Sequence, residues 1–143
     1  MRDRMNVIAD YFIAFLKKYR SLLLYGIFGV LTTVVNFLVY YLLAHLLGVN
    51  ITLSTAAAWA AAVLFAYLTN RKWVFSSSAS GAGEIGRELL SFVLCRVGTG
   101  LLDLAIMFVF ADMLSFHDLV VKICSNILVI ILNYVASKLV IFK

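Results

Sequence analysis

The chain has 143 residues, 64% of them hydrophobic and 13% charged, with a mean hydropathy of +1.05 and a formal net charge of +5. A soluble domain of this length cannot cover so much apolar surface, so a water-soluble fold is excluded. The basic residues flank apolar stretches and form no separate basic domain, which argues against a nucleic-acid partner.

Residues 1–20 come first. Met5, Ile8, Phe12, Phe15 or Leu16, and Tyr19 recur every three or four positions, while Arg2, Arg4, Asn6, Asp10, Lys17 and Lys18 occupy other faces. This spacing predicts an amphipathic helix lying on the membrane surface. It serves as an anchor for the next element or as a docking site for a partner protein.

Four apolar stretches follow, roughly Leu22–Leu47, Ile51–Thr69, Leu89–Met113 and Leu119–Ala136. Crossing ~30 Å of hydrocarbon takes about 20 helical residues, so each is long enough to span. The runs are uniformly apolar and do not alternate, which favours helices over strands. The first run is too long and starts too late for a cleavable signal peptide. The chain has no proline, so no proline kink is expected. The segment SSSASGAGEIG (76–86) reads as a short flexible linker, with Glu84, Arg87 and Glu88 in the polar first turn of the third span. The run AAAWAAAVLFA (56–66) predicts close helix packing. Cys95 and Cys124 both fall within spans and read as small buried apolar residues, with neither a disulfide nor a metal site expected. His45 and His117 sit near the span ends and read as interfacial.

The apolar stretches form a repeat. Shifted by 67 residues, 22–75 falls on 89–142, which places Asn36 on Asp103, Tyr67 on Tyr134, Arg71 on Lys138 and Phe75 on Phe142. Each copy is a helical hairpin that returns to its starting side, so the copies are expected as parallel repeats about an axis along the membrane normal, with a site in the cleft between them. The expected fold is therefore an all-α integral membrane protein. An amphipathic interfacial helix (1–20) precedes a transmembrane domain (21–143) of four transmembrane helices, arranged as two parallel-repeat helical hairpins. Arg2, Arg4, Lys17, Lys18, Arg20, Arg71, Lys72, Arg87, Lys138 and Lys143 all lie toward the open ends of the hairpins, whereas the tips hold almost nothing basic beyond Lys122. The positive-inside rule then makes both termini cytoplasmic.

Polar residues inside spans are costly and therefore informative. At a rise of about 1.5 Å per residue, Arg96 lies roughly 10 Å into the third span and Asp103 roughly 20 Å, seven residues on and on the same face. Asn36 reaches the depth of Asp103, on a face with Gly26, Gly29, Thr33 and Tyr40. The fourth span carries Lys122, Asn126, Asn133 and Ser137 near one face. Two layers result. A shallow cationic layer holds Asn70, Arg71, Arg96, Asn133 and Lys138, and a deeper neutral-to-acidic layer holds Asn36, Asp103 and Asn126. This suits a ligand with a phosphate at the interface and sugar hydroxyls beyond it, because arginine binds phosphate through paired donors and Asn or Asp pairs with hydroxyls. The candidate substrate-binding residues are Asn36, Asn70, Arg71, Arg96, Asp103 and Asn133, with Asn126 and Lys138 as further candidates. The same Asn and Asp residues also read as glue between helices, Arg71 and Lys138 as ordinary topology signals, and Asp103 as a partner of Arg96. No nucleophile-and-base pair, metal-ligand spacing or phosphate-cradling glycine loop is visible, so no catalytic residue, metal or cofactor is expected. Four helices enclose little space for a lipid head group, which predicts a homo-oligomer, most simply a dimer.

At GVLTTVVNFLVYYLL (29–43), FAYLTNRKWVF (65–75) and LNYVASKLVIF (132–142) the sequence resembles the GtrA-like family over residues 20–143. The second-half ending departs from the family pattern, with Lys138 standing alone and Val140 at the tryptophan position. The resemblance implies a bacterial inner-membrane protein acting on polyprenyl-phosphate-linked sugars. Members translocate such lipids for cell-surface polysaccharide glycosylation, or serve as scaffolds for a membrane glycosyltransferase. A third reading is a small proton-coupled exporter, since small multidrug resistance proteins also have four short spans. That family needs a glutamate in the first span, where this chain has Asn36.

Overall fold

A computed structural model describes residues 2–142; Met1 and Lys143, and the side chains of Arg2 and Asp3, lie outside the described residues, so the basic character assigned to Arg2 and Lys143 is not placed. Every regular element among the described residues is helical. Helix α1 (Arg2–Lys18) is exposed on every described face and ends at Tyr19, where α2 (Arg20–Tyr41) begins. Helices α3 (Ile51–Thr69), α4 (Ala82–Ile106) and α5 (Asp118–Ala136) follow. Four helices are long and apolar enough to cross a membrane, and the chain is a multi-pass membrane protein.

The sequence reading ends the second and fourth spans short, at Thr69 and Ala136, and starts the third late, at Leu89. Each of α2 to α5 runs on into a wider π-helical turn, over Leu42–Leu46, Asn70–Val74, Met107–Met113 and Ser137–Ile141. These turns close with i→i−5 bonds of 2.9–3.0 Å, as from the Phe75 N–H to the Asn70 carbonyl and from the Phe142 N–H to the Ser137 carbonyl. The spans become Arg20–Leu46, Ile51–Val74, Ala82–Met113 and Asp118–Ile141. The 76–86 segment is also more ordered than a flexible linker. Helix α4 starts at Ala82, so Gly83 and Gly86 are helical. Glu84 reaches back to accept the Ser80 N–H at 3.1 Å, as an acidic residue in a first turn does. Ser77 donates its hydroxyl to the buried Glu88 carboxylate.

The chain divides into two compact units, Met1–Ser76 and Ser77–Lys143. Each contains one hairpin, α2–α3 or α4–α5, and their internal geometries match at the 67-residue offset. At the tips, the Val49 N–H bonds the Leu43 carbonyl at 2.9 Å, and 67 residues on the Phe116 N–H bonds the Phe110 carbonyl at 2.9 Å. This six-residue closure needs a left-handed residue just past the helix. Gly48 supplies it with φ 65° in the first hairpin and Ser115 with φ 55° in the second.

The core of the first hairpin is a ridge along α3. Ser54, Ala58, Ala62, Ala66, Asn70 and Val74 recur every fourth residue and are all buried. Small side chains let the backbones approach closely, which in lipid supplies the packing energy that water would otherwise drive. In α5 the ridge is Val121, Ser125, Asn133, Ser137 and Ile141, again buried. The run at 56–66 thus packs as expected, through its fourth-residue subset. Ala56 and Ala60 stay exposed. On α2 the packing face carries Tyr25, Phe28, Thr32 and Asn36, whereas Gly26, Gly29 and Thr33, grouped with Asn36 in the sequence reading, are exposed. Cys95 is half-buried and Cys124 exposed, so only the first resembles the small buried residue expected.

Candidate functional site

The candidate residues divide between the hairpins, with Asn36, Asn70 and Arg71 in the first unit and Arg96, Asp103, Asn126, Asn133 and Lys138 in the second.

At the open end of the first hairpin, the π turn Asn70–Val74 carries Asn70 inward. Asn70 is 2% exposed, and its Oδ1 has no hydrogen-bond partner among the described residues. A buried carbonyl oxygen without a donor is costly and rare. Arg71, next in sequence, is half-buried. Trp73 of the same turn stacks on Phe28 with centroids 5.5 Å apart and planes 12° from parallel, and the Lys72 ammonium lies 5.1 Å from the Trp73 ring. Asn36 is half-buried further along α2.

The second hairpin differs at the matching positions in a concerted way. Phe28 and Trp73 correspond to Cys95 and Val140, so both members of the stacked pair change together. Asn70 corresponds to Ser137, which is buried, and Arg71 to Lys138, which is exposed with its ammonium 5.8 Å from the Tyr134 ring. One helix turn inward, Asn133 is 5% exposed, and its Oδ1 accepts from Thr99 Oγ1 at 3.0 Å and Cys95 Sγ at 3.5 Å. Its carbonyl therefore holds α5 to α4, leaving its amide hydrogens as the group able to meet a ligand. The Arg96 guanidinium lies 5.1 Å from the centre of the Phe92 ring. Among the described residues no carboxylate pairs with it.

Asp103 does not pair with Arg96. It lies on the packing face of α4, where Lys122 of α5 reaches it at 2.5 Å and Ser125 donates a hydroxyl at 2.6 Å. The seven residues from Arg96 to Asp103 put them on one face but about 10 Å apart along the axis, and a cross-helix lysine is nearer. The deeper layer of the second hairpin therefore holds a cation as well as a carboxylate and is not neutral-to-acidic. Asn126, grouped with this layer from sequence, is exposed on α5, one position past the buried ridge.

Sequence reasoning missed Thr99, Ser125 and the role of Lys122. The repeat held a signal for the last two, since Asn36, Thr55 and Ala58 in the first hairpin become Asp103, Lys122 and Ser125 in the second. Three coordinated changes from neutral to charged or polar mark a local network.

Residues 24–142 match the GtrA/DPMS transmembrane-domain family. The cell wall teichoic acid glycosylation protein GtcA of Listeria monocytogenes serovar 1/2a is 40% identical over 123 residues, covering 86% of this chain and 85% of that protein. Its namesake from Listeria innocua is 36% identical over 141 residues, 99% of this chain and 97% of that protein. The uncharacterized membrane protein YwcD of Bacillus subtilis is 36% identical over 120 residues, 84% of this chain and 94% of that protein. With the hairpin motifs and all but the first four residues of the apolar spans falling inside the matched region, the chain belongs to the GtrA/DPMS transmembrane-domain family.

Proposed function

We propose that this protein moves a polyprenyl-phosphate-linked sugar across the bacterial inner membrane, supplying it for glycosylation of a cell-surface polymer such as teichoic acid. The observation that carries this reading is the Arg96 guanidinium, which sits inside a span on the Phe92 ring with no carboxylate partner among the described residues. A guanidinium in hydrocarbon is expensive, and a phosphate supplies the missing counter-charge through paired hydrogen bonds. The teichoic acid glycosylation relatives, similar over nearly the whole chain, support the sugar pathway.

In this scheme each hairpin offers its own phosphate-binding groups, Arg71 assisted by Asn70 in the first and Arg96 assisted by the Asn133 amide, with Lys138 in reserve, in the second. Further in, Asn36 of the first hairpin and Asp103 of the second, with Asn126 beside it, offer groups for the sugar hydroxyls. The polyprenyl tail stays in lipid. Binding and release suffice, and no covalent step is required. The termini are cytoplasmic and the tips outside, following the basic asymmetry. Labelling of Leu47→Cys but not Ser80→Cys from outside the cell, in a background lacking Cys95 and Cys124, checks that orientation. The working form is a homo-oligomer, a dimer first, and the product goes to a membrane glycosyltransferase.

The test is binding of a polyprenyl-phosphate sugar to purified protein, with folding checked by thermal melt. Losing one charge-assisted contact costs about 1.5–3 kcal/mol, so Arg71→Ala and Arg96→Ala weaken binding about ten- to a hundredfold. Arg96→Lys recovers part of the loss, since the ammonium lacks the paired donors. Parent-like binding by both alanine variants rejects the site. The protein then reads as a scaffold for a glycosyltransferase, attached through α1, whose apolar residues Met5, Ile8 and Phe12 are exposed.

A further inference from the structure

Of the ten Lys and Arg residues whose side chains are described, nine lie toward the open ends of the hairpins, and Lys122 alone lies in a tip-side half. It follows Asp118, the first residue of α5, by four positions, about 6 Å along the axis. A lysine so near a span end ordinarily snorkels outward to the interface. Lys122 turns the other way, reaching inward to Asp103 at 2.5 Å.

The pair is built asymmetrically. Asp103 is the covered member, its side chain 20% exposed, while that of Lys122 is 44% exposed. Each Asp103 oxygen has a partner, Oδ2 Lys122 and Oδ1 Ser125 at 2.6 Å, and each keeps a further acceptor site. An ammonium carries three donors, and Asp103 takes one. What remains on the accessible flank is a cation with two hydrogens to give, fixed in place by a carboxylate that is itself fixed. The first hairpin has Thr55 and Asn36 at these positions and holds no charge there. An ion pair within a span is weak evidence for stability, because apolar replacements of similar volume often do as well. Its presence at one tip and not the other therefore calls for a role other than stability.

We propose that Lys122, positioned by Asp103 and Ser125, is an anion-binding station at the tip end of the second hairpin that takes the phosphate of a lipid. This rests on the transport reading above for the identity of that lipid. A polyprenyl phosphate moved away from the open-end arginines meets no other Lys or Arg side chain in a tip half among the described residues. Lys122 completes the route with a second, weaker foothold, an ammonium in place of a guanidinium's paired donors, which favours release on that side. The phosphate of a bulk phospholipid has the same chemistry and is the alternative source.

The test uses purified protein in nanodiscs of phosphatidylcholine, with fluorescent polyprenyl phosphate lacking a sugar as the probe and phosphatidylglycerol as competitor. Lys122→Gln alone leaves Asp103 without its counter-charge, so the decisive variant is Lys122→Gln with Asp103→Asn, which removes both charges and keeps hydrogen-bonding groups of similar size. The expected result is a loss of about tenfold or more in the Lys122-dependent component of binding. Asp103→Asn alone frees the ammonium and tightens binding, whereas a merely structural pair gives only a lower melt. Competition by phosphatidylglycerol assigns the station to lipid phosphates in general, and lack of competition assigns it to the polyprenyl carrier; both keep it. Probe binding that depends on Arg71 and Arg96 but is unchanged in the double variant overturns the station alone. Binding of phosphatidylglycerol through Lys122 with no uptake of polyprenyl phosphate overturns the transport reading and leaves the station. A parent protein that takes up neither lipid overturns both.

Discussion

Tyr25 and Phe75 meet across the open end of the first hairpin with ring centroids 6.3 Å apart and planes at 56°; the residues 67 positions on, Phe92 and Phe142, meet in the second at 5.9 Å and 57°. The repeat is thus carried into geometry by an aromatic clasp that joins the start of one span to the end of the next. Phe92 is 1% exposed and also supports the Arg96 guanidinium, so the clasp and the proposed phosphate group share a side chain.

Phe92→Ala is expected to lower stability by at least the worth of the aromatic pair, about 0.5–1.5 kcal/mol, and to weaken ligand binding as Arg96 loses its platform. Phe92→Leu refills much of the volume without restoring a ring face, so its melt recovers more than its affinity. Thermal melts in detergent alongside a binding isotherm separate the two effects. Equal recovery of both counts against a link between the clasp and Arg96.

The small-residue ridge of α3 gives a second contrast. Ala58 and Ala62 are 1% and 4% exposed, while Ala60, on the same helix, faces outward. Adding three carbons at Ala58 or Ala62 forces the hairpin apart, with an expected cost of about 1–3 kcal/mol for each Leu substitution. Ala60→Leu adds the same volume toward lipid and leaves the melt within a degree or two of the parent. Equal destabilisation by all three means the ridge has been assigned to the wrong face.

Much of this was legible in the sequence because the membrane simplifies the problem. Span count and the repeat follow from apolar length and the register of polar positions, since backbone groups in lipid are satisfied only within helices or closed barrels. The π turns were not legible. A shift from i→i−4 to i→i−5 closure leaves no hydrophobic signature, so NRKWV and SKLVI read as ends when they continue the spans. Nor was the partner of Asp103. A helical wheel relates Arg96 to Asp103 on one helix, but it cannot say that Lys122, on the next helix, comes closer. The exposure of Asn126 was not legible for a related reason. One position, about 100° of rotation, separates it from Ser125 on the buried ridge, and single-residue errors of that kind decide which face a side chain takes.

The Asn133 node makes a double-mutant prediction. Thr99 Oγ1 lies 3.0 Å from Asn133 Oδ1, with both residues buried, and 3.0 Å from the Cys95 carbonyl within its own helix; the cross-helix bond is the one that both single changes remove. Cross-helix bonds of this kind in a membrane average about 0.6 kcal/mol and reach about 1.7. Thr99→Val preserves shape and isolates the hydroxyl; Asn133→Leu removes the acceptor. If the bond joins α4 to α5, the double variant loses less than the sum of the singles. Strict additivity in the melts means the two residues stabilise the hairpin independently.

Asn70 offers the sharpest separation of stability from function. Its Oδ1 is buried without a donor among the described residues, and such an atom costs about 1–3 kcal/mol relative to a satisfied one. Removing the amide while keeping the volume should therefore leave the unliganded protein as stable as the parent or more so. Asn70→Leu is expected to hold or raise the melting temperature. If the position serves the ligand, the same substitution lowers affinity for a polyprenyl-phosphate sugar by about tenfold, because the phosphate loses the Nδ2 donor and a sugar hydroxyl loses the Oδ1 acceptor. Opposite signs on the two measurements are what a binding residue held in a strained, unsatisfied state produces. A lower melt with unchanged affinity makes Asn70 a structural residue of the π turn and removes it from the site.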